Sequence, residues 1–320
     1  MSISSTHRRH PVRAVGIMAL ATLLALATGC GGDGGGASPS DSSGQEGGLS
    51  GTLNVLVSSA DASDKAFNEL NDAFNAANPG LTSTLTSVPN DTYDASKAAQ
   101  MTAGEADIVI INYKGFGDTP DYAADSKTAD TMLAEEGGYV DLTDQPFMSR
   151  FNPSLVESIK LGGRAYALPT GMSYGGIYYN KKMFADNKLE VPTTWAELEN
   201  VISTLQKASI TPFGMGGKDI WPAGLVMLDM VSSLYPSSAD AQALAEGLWT
   251  NTLKLNEGRQ LQVLERTQTV FDATLKNFAG VSYDTVPASF ANGDFAMLPD
   301  GTWNHGVIYE AVGDAFEVGF

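Results

Sequence analysis

The alternation of strand and helix patterns between residues 52 and 111 constrains the fold more than any other feature of the chain. Residues 52–57 and 81–88 have β-strand character, and a helical pattern follows each of them. The unbroken apolar run 107–111 predicts a third strand that is buried on both faces. A β-α-β-α-β order predicts a parallel sheet covered by helices, and therefore an α/β fold.

The helices of this segment are predicted from spacing. The first has apolar residues at intervals of three or four positions, which form one face: Phe67, Leu70, Phe74 and Ala77. We expect Ser63 or Asp64 to cap its start and Asn78-Pro79-Gly80 to end it. The second helix is predicted over 93–103.

Ligands of parallel α/β sheets bind at the loops beyond the carboxyl ends of the strands. In this chain two such loops are 58–60 and 112–114. Ser59, Tyr113 and Lys114 are therefore candidate ligand-binding residues.

The second half of the chain continues in the same style without repeating the sequence. Thr194 and Glu197 have the spacing of a capping box. In this motif each of the two side chains accepts a hydrogen bond from a backbone N–H at the start of the helix. The helix that follows has an apolar stripe made of Trp195, Leu198, Val201, Ile202 and Leu205. Further helices are predicted at 223–233, 240–249 and 257–277, and strands at 177–179, 295–298 and 316–318.

The N-terminus has the pattern of an export signal. A basic start is followed by an apolar stretch, 14–28, that is shorter than the about 20 residues of a membrane span. Small residues then precede Cys30, which resembles the bacterial lipobox, although Ala27 stands where that motif prefers Leu. We expect residues 1–29 to be a signal peptide and Cys30 to be lipidated. A plain secretory signal with an incidental cysteine is the alternative.

Residues 30–49 are expected to form a flexible tether. The stretch from Gly31 to Gly48 consists mainly of Gly, Ser and Asp and cannot bury apolar surface. Such a tether would hold a folded body just off a membrane.

Charge and cysteine content exclude several classes of function. The chain has 19 Lys and Arg against 37 Asp and Glu, a net charge of −18, which argues against nucleic-acid binding. One cysteine excludes a disulfide framework and a Cys-cluster metal site. Once the signal is removed, His305 is the only histidine and Cys30 is expected to be lipidated, so we expect no metal site. We expect no cofactor.

A possible catalytic motif lies near the middle of the chain. Residues 171–175 match G-x-S-x-G, the nucleophile elbow of α/β-hydrolases, and His305 lies downstream of Ser173. That elbow needs a strand before it and a helix after it, whereas here Pro169 precedes it and a strand pattern follows. An exported hydrolase that uses Ser173 or a pair of carboxylates remains the enzymatic alternative.

Two tryptophans follow predicted loops and stand next to carboxylates. Asp219 lies two residues before Trp221, and Asp300 lies three residues before Trp303. An exposed indole offers a flat apolar face that matches the C–H face of a sugar, and carboxylates accept hydrogen bonds from its hydroxyls. Position alone does not distinguish this role from that of ordinary core tryptophans.

An ordered set of motifs resembles one family over residues 50–320. Its members are 163–169 (GRAYALP), 178–184 (YYNKKMF), 192–198 (PTTWAEL), 290–297 (FANGDFAM) and the turn Gly301-Thr302-Trp303. Together they are similar to family 1 extracellular solute-binding proteins, which serve ABC sugar importers.

The resemblance implies a two-lobed periplasmic-binding-protein-like α/β fold that closes on a ligand. The first lobe would span 50–169, and 170–320 would hold the hinge crossover and the second lobe. Ser173 and Tyr174 would then lie at the hinge, and Tyr113 and Lys114 on the lip of the first lobe. Asp219, Trp221 and Trp303 would line the second lobe, with Trp303 stacked on a sugar and Asp219 or Asp300 accepting its hydroxyls.

The implied function is capture of a sugar or oligosaccharide and its delivery to ABC permease subunits, without catalysis. We expect a monomer, lipid-anchored to the outer face of the bacterial cytoplasmic membrane. A binder of a non-sugar solute with the same fold is the second alternative. Members of the family continue well beyond the Gly-x-Trp turn, so we also expect a C-terminally truncated fold.

Overall fold

The computed structural model describes residues 50–59, 61–111 and 117–320. The predicted signal, the tether, Cys30, Tyr113 and Lys114 lie outside these residues.

The strands are β1 Gly51–Ser59, β2 Leu81–Pro89, β3 Ile108–Val109, β4 Lys160–Leu161, β5 Arg164–Ala165, β6 Gly175–Asn180, β7 Met297–Gly301 and β8 Val318–Gly319. The helices are α1 Asp61–Ala77, α2 Asn90–Ala103, α3 Ala129–Glu135, α4 Pro153–Ser158, α5 Lys181–Asp186, α6 Trp195–Lys207, α7 Trp221–Leu234, α8 Ser238–Trp249, α9 Gly258–Asp272, α10 Val286–Ala291 and α11 His305–Val312.

The first sheet confirms the predicted β-α-β-α-β order. Its strands run in the order β2-β1-β3, and both pairings of β1 are parallel. The prediction of a third strand buried on both faces is wrong: β3 has two residues, and Ile108 is 49% exposed. The reason is its position at the edge of the sheet, where it pairs with β1 only.

The first helix differs in detail from the sequence-based expectation. It begins at Asp61, earlier than a cap at Ser63 or Asp64 would place it. The Asp64 carboxylate instead accepts hydrogen bonds from the Ser59 and Ser87 hydroxyls, at 2.7 and 2.8 Å. Leu70, a member of the predicted apolar face, is exposed. The expected burial of that face is thus incomplete.

A separate antiparallel sheet organises the second half. Its strands run in the order β7-β6-β8, and β6 pairs with both neighbours. Two apolar clusters form the core around this sheet, one including Phe213 and Met297 and the other including Tyr178 and Leu298. The strands predicted at 295–298 and 316–318 are found slightly later, as β7 and β8.

The helices of the second half follow their predicted patterns. The capping box at Thr194 and Glu197 is present, and four members of the α6 stripe are buried: Leu198, Val201, Ile202 and Leu205. Helix α9 ends at Asp272, five residues before the predicted end. It ends there because Ala273 and Leu275 exchange backbone hydrogen bonds with Phe213.

A buried ionic cluster holds α2 against α3. Lys97 is only 5% exposed, and its Nζ lies 2.7 Å from Asp130 Oδ2. The Tyr139 hydroxyl donates to Asp130 Oδ1 at 2.6 Å, so both oxygens of this carboxylate have a donor. Burial and the Asp130 charge raise the pKa of Tyr139 above its usual value, which keeps the hydroxyl protonated as a donor.

The described chain therefore confirms the α/β class, with one sheet from residues 51–109 and another from residues 175–319. The short hairpin β4-β5 lies between them in sequence. The boundary between lobes at residue 170 stays a prediction. Among the described helices, none is both long and apolar enough to cross a bilayer.

Candidate functional site

The site is built where β6 begins and β7 ends. Gly175 pairs with Gly301, so neither strand carries a side chain at this point. Just outside the pair, the Tyr174 N–H donates to Thr302 Oγ1 at 3.0 Å, and the Thr302 N–H donates to the Tyr174 carbonyl at 2.9 Å. The segment that leads into β6 is thereby joined to the Gly-x-Trp turn.

Three aromatic side chains cluster beside this turn. The ring centroids of Trp221 and Tyr283 are 4.5 Å apart, and those of Trp221 and Trp303 are 6.3 Å apart. The Trp303 Nε1–H donates to the Tyr283 hydroxyl at 3.1 Å. Both tryptophans keep open surface, with exposures of 39% and 40%. The cluster is thus a rigid apolar surface that faces solvent.

Asp300 is a buried carboxylate that holds Tyr283 in the aromatic cluster by a hydrogen bond. Its side chain is 1% exposed, and Oδ1 accepts from the Tyr283 hydroxyl at 3.0 Å and from the Gly301 N–H at 2.8 Å. Oδ2 accepts from Asn304 Nδ2 at 2.8 Å. Burial raises the pKa of Asp300, although these hydrogen bonds oppose the shift. Since both oxygens are occupied, positioning of Tyr283 fits this geometry better than contact with a ligand hydroxyl.

Asp219 holds the same tyrosine from the backbone side. Its Oδ2 accepts from the Tyr283 N–H at 2.7 Å and from the Ser282 hydroxyl at 3.3 Å. The next residue, Ile220, has a φ of 64°, which is strained for a β-branched side chain. That strained residue directly precedes Trp221, the first residue of α7. The strained backbone therefore lies at the N-cap of α7, next to Trp221.

The structure brings five of the predicted site residues together: Tyr174, Asp219, Trp221, Asp300 and Trp303. Ser173 directly precedes Tyr174 in sequence, and its side chain is exposed. Ser59 lies elsewhere, at the carboxyl end of β1, where its hydroxyl donates to Asp64. Whether any of these residues contacts a ligand stays a prediction.

Tyr283 is a residue of the candidate site that sequence reasoning missed. It contacts Asp219, Trp221, Asp300 and Trp303, which are the predicted second-half site residues other than Ser173 and Tyr174. It lies in a short 3-10 turn, Tyr283–Thr285, without apolar periodicity. No local pattern in the sequence pointed to it.

We expect Tyr283→Phe to weaken ligand binding at this site by about 10-fold. The phenyl ring keeps the contact with Trp221, but Trp303 Nε1–H and Asp300 each lose a partner, and such a bond contributes about 0.5–1.5 kcal/mol. Near-ultraviolet circular dichroism of the protein reports on the Trp221–Trp303 arrangement. A changed spectrum and a moderately lowered melting temperature are the expected signature, because the buried Asp300 carboxylate loses a donor. An unchanged spectrum with unchanged affinity would contradict it.

The G-x-S-x-G segment lacks the geometry of a nucleophile elbow. Residues 171–174 have no regular structure, and a strand rather than a helix follows them. No hydrogen bond joins Ser173 to His305 among the described residues, and the His305 ring stacks on Tyr309 at 4.1 Å. The motif is thus part of the segment that enters β6.

A surface cavity of about 370 Å³ lies at the other end of β6, lined in part by Tyr179, Lys181 and Glu190. It is separate from the aromatic cluster and carries none of the exposed indole surface. The cluster, an open surface and not a cavity, is the better candidate because its polar groups and aromatic faces converge.

Comparison with known proteins identifies similar chains. A family model described as bacterial extracellular solute-binding protein matches residues 58–319. The multiple sugar-binding protein of Streptococcus mutans serotype c is 25% identical over 233 residues, which cover 72% of this chain and 52% of that protein. The chain thus spans about half the length of this curated relative.

Solved structures share the fold. The solute-binding protein RafE in complex with raffinose superposes with a TM-score of 0.67 at 22% identity, covering 84% of this chain and 67% of that one. A chitin oligosaccharide binding protein gives a TM-score of 0.64 at 26% identity, covering 84% of this chain and 66% of that one. The structural neighbours are two-lobed solute-binding proteins.

Proposed function

The chain belongs to the family of bacterial extracellular solute-binding proteins, and we propose that it captures a sugar or oligosaccharide for an ABC importer. One observation carries the proposal: the exposed faces of Trp221 and Trp303, held in place by Tyr283. A sugar ring buries its C–H face on such an indole, and rigid aromatic side chains lose little conformational entropy on binding.

The polar surroundings support a hydroxyl-rich ligand. Asp219 is exposed beside the cluster and has oxygen lone pairs beyond those used by Ser282 and Tyr283. The names of the relatives point in the same direction, since one is a multiple sugar-binding protein and others bind raffinose or chitin oligosaccharides. From these names we infer only the chemical class of the ligand of this chain, a sugar or oligosaccharide.

The mechanism proposed is capture by closure of two lobes, 50–169 and 170–320. The segment around Ser173 and Tyr174 would be the hinge, and Ser59, Tyr113 and Lys114 would contribute from the first lobe. Closure is driven by contacts that exist only in the closed state. The closed form then delivers the solute to permease subunits, with Cys30 as the lipid anchor on the outer face of the cytoplasmic membrane.

The family and the relatives found are binding proteins, and we propose that this chain likewise performs no catalysis. The test is isothermal titration calorimetry of the protein with raffinose, stachyose and N-acetyl chitotriose, followed by chromatography of the recovered sugar. Saturable heat with intact sugar supports the proposal. Consumed sugar would favour a hydrolase, and a folded protein with no response to any sugar would favour a different solute.

A further inference from the structure

Asp229 is a carboxylate of the second half that sequence reasoning did not single out. It lies on α7, and Trp221, Leu225 and Asp229 follow one another at intervals of four residues. Residues four apart lie on one face of an α-helix. The helix that begins with an aromatic residue of the candidate site therefore carries Asp229 on the same side.

This face of α7 packs on the start of β6. A Cβ placed on Gly175 would lie 3.3 Å from Asp229 Oδ1 and 3.6 Å from Leu225 Cδ1. Because residue 175 is a glycine, the carboxylate lies directly against the backbone there.

The pairing of β6 with β7 places Asp229 next to the candidate site. Gly175 and Gly301 are directly opposite each other, so their Cβ directions point to the same face, about 4.5–5.5 Å apart. The six-membered ring of Trp303 lies over Gly301, where it fills the space of a side chain. Asp229 and the Trp303 ring therefore occupy adjacent positions on one face of the sheet.

No partner in the described part of the chain explains why the Asp229 carboxylate is half-buried. No hydrogen bond or ion pair joins Asp229 to another residue of the described ranges 50–59, 61–111 and 117–320. Burial is the sole cause that raises its pKa to about 6. A half-buried charge without a partner destabilises the folded state at neutral pH, which indicates a role other than stability.

The surrounding charged groups do not supply a partner either. Arg259 and Arg266 on α9 donate to the Leu234 carbonyl and the Ser233 hydroxyl, further along α7. On β7 the nearest charge is Asp300, which has its own donors, and Lys218 and Asp219 precede α7. None of these groups forms a hydrogen bond or an ion pair with Asp229 in the described part of the chain.

We propose that Asp229 is a specificity-determining residue, whose carboxylate accepts hydrogen bonds from hydroxyl or amino groups of a sugar ring stacked on Trp303. The proposal rests on the proposed function. The inference narrows the ligand class of the proposed function to neutral or amino sugars. A uronate is rejected, because it would bring a second carboxylate to this position.

The ionised form of Asp229 is the binding form for a neutral sugar, and this predicts the direction of the pH dependence. With a pKa of about 6, the carboxylate is mostly ionised at pH 7 and mostly protonated at pH 5. With the neutral acid binding about 10-fold more weakly than the carboxylate, affinity for a neutral oligosaccharide should fall about 5-fold between pH 7 and pH 5.

The experiment is calorimetric titration of the wild-type protein, Asp229→Asn and Glu190→Gln with a neutral oligosaccharide such as raffinose, at pH 5, 6 and 7. Glu190 is exposed at the far end of β6, so Glu190→Gln removes the same charge from the same half. We expect Asp229→Asn to bind about 10-fold more weakly at pH 7, because a hydrogen bond to a charged group contributes more than one to a neutral group. Its affinity should vary little with pH, while Glu190→Gln behaves as wild type.

A thermal melt separates binding from folding. Removal of an unpaired charge should leave Asp229→Asn at least as stable as wild type at pH 7. Wild-type binding with equal affinity and equal pH dependence in Asp229→Asn would overturn the inference and leave the proposed function standing. A folded wild-type protein that binds none of the sugars tested would contradict the proposed function, and this inference with it.

Discussion

Replacement of Trp303 by Ala is expected to weaken the binding of a neutral oligosaccharide by about 100-fold. The indole lies over Gly301, is held by Tyr283 and keeps 40% of its surface open for a ligand. Truncation of a central, well-packed tryptophan typically costs about 2–4 kcal/mol of binding free energy. A loss of about 2.7 kcal/mol corresponds to 100-fold in Kd.

The matched control is Trp249→Ala, and calorimetry measures both variants. Trp249 is the last residue of α8, is 56% exposed and lies outside the aromatic cluster. We expect its replacement to leave the affinity within about twofold of wild type. Equal affinities for Trp303→Ala and Trp249→Ala would contradict a role for the cluster in binding.

The second large effect is on stability. Asp130→Ala is expected to lower the free energy of unfolding by about 3–5 kcal/mol, because the buried Lys97 ammonium is left without its closest carboxylate. The Tyr139 hydroxyl loses its acceptor as well. Urea unfolding followed by circular dichroism measures the difference.

An exposed ion pair provides the control for Asp130→Ala. Lys182 and Asp186 lie 2.6 Å apart on the surface of α5, with side chains 67% and 59% exposed. Asp186→Ala should change stability by less than about 1 kcal/mol, since such pairs contribute little. The double variant Lys97→Met/Asp130→Leu should recover most of the loss, because apolar side chains replace a buried pair at little net cost. A loss below about 1 kcal/mol in Asp130→Ala would contradict the account of this cluster.

Features that depend on local spacing were predicted well from the sequence. The capping box at Thr194 involves residues three apart, and the stripe along α6 repeats every three or four residues. The β-α-β-α-β order also follows from consecutive patterns. The class of fold and the family resemblance therefore came from the sequence.

Features that depend on distant neighbours were predicted less well. Residues 107–111 have the composition of a central strand, yet β3 is at the edge, because strand order is decided by the chain as a whole. The end of α9 depends on Phe213, about 60 residues earlier in the sequence. Composition and periodicity do not contain this information.

The residues of the candidate site divide in the same way, into those that a local pattern predicts and those that depend on distant contacts. Trp221 and Trp303 stand out in the sequence because tryptophan is rare and both follow loops. Tyr283 and Asp229 do not stand out, because their roles arise from contacts across a turn, a helix and a strand. Asp300 was found, but its burial and its three donors were not.

The central claim is that a sugar covers the exposed faces of Trp221 and Trp303. Acrylamide quenching of tryptophan fluorescence, with and without saturating oligosaccharide, tests it most directly. The expected result is a clear loss of quenching on binding in wild type and in Trp249→Phe, and no such loss in the double variant Trp221→Phe/Trp303→Phe. Saturable binding by wild type with unchanged quenching would place the sugar elsewhere and contradict the claim.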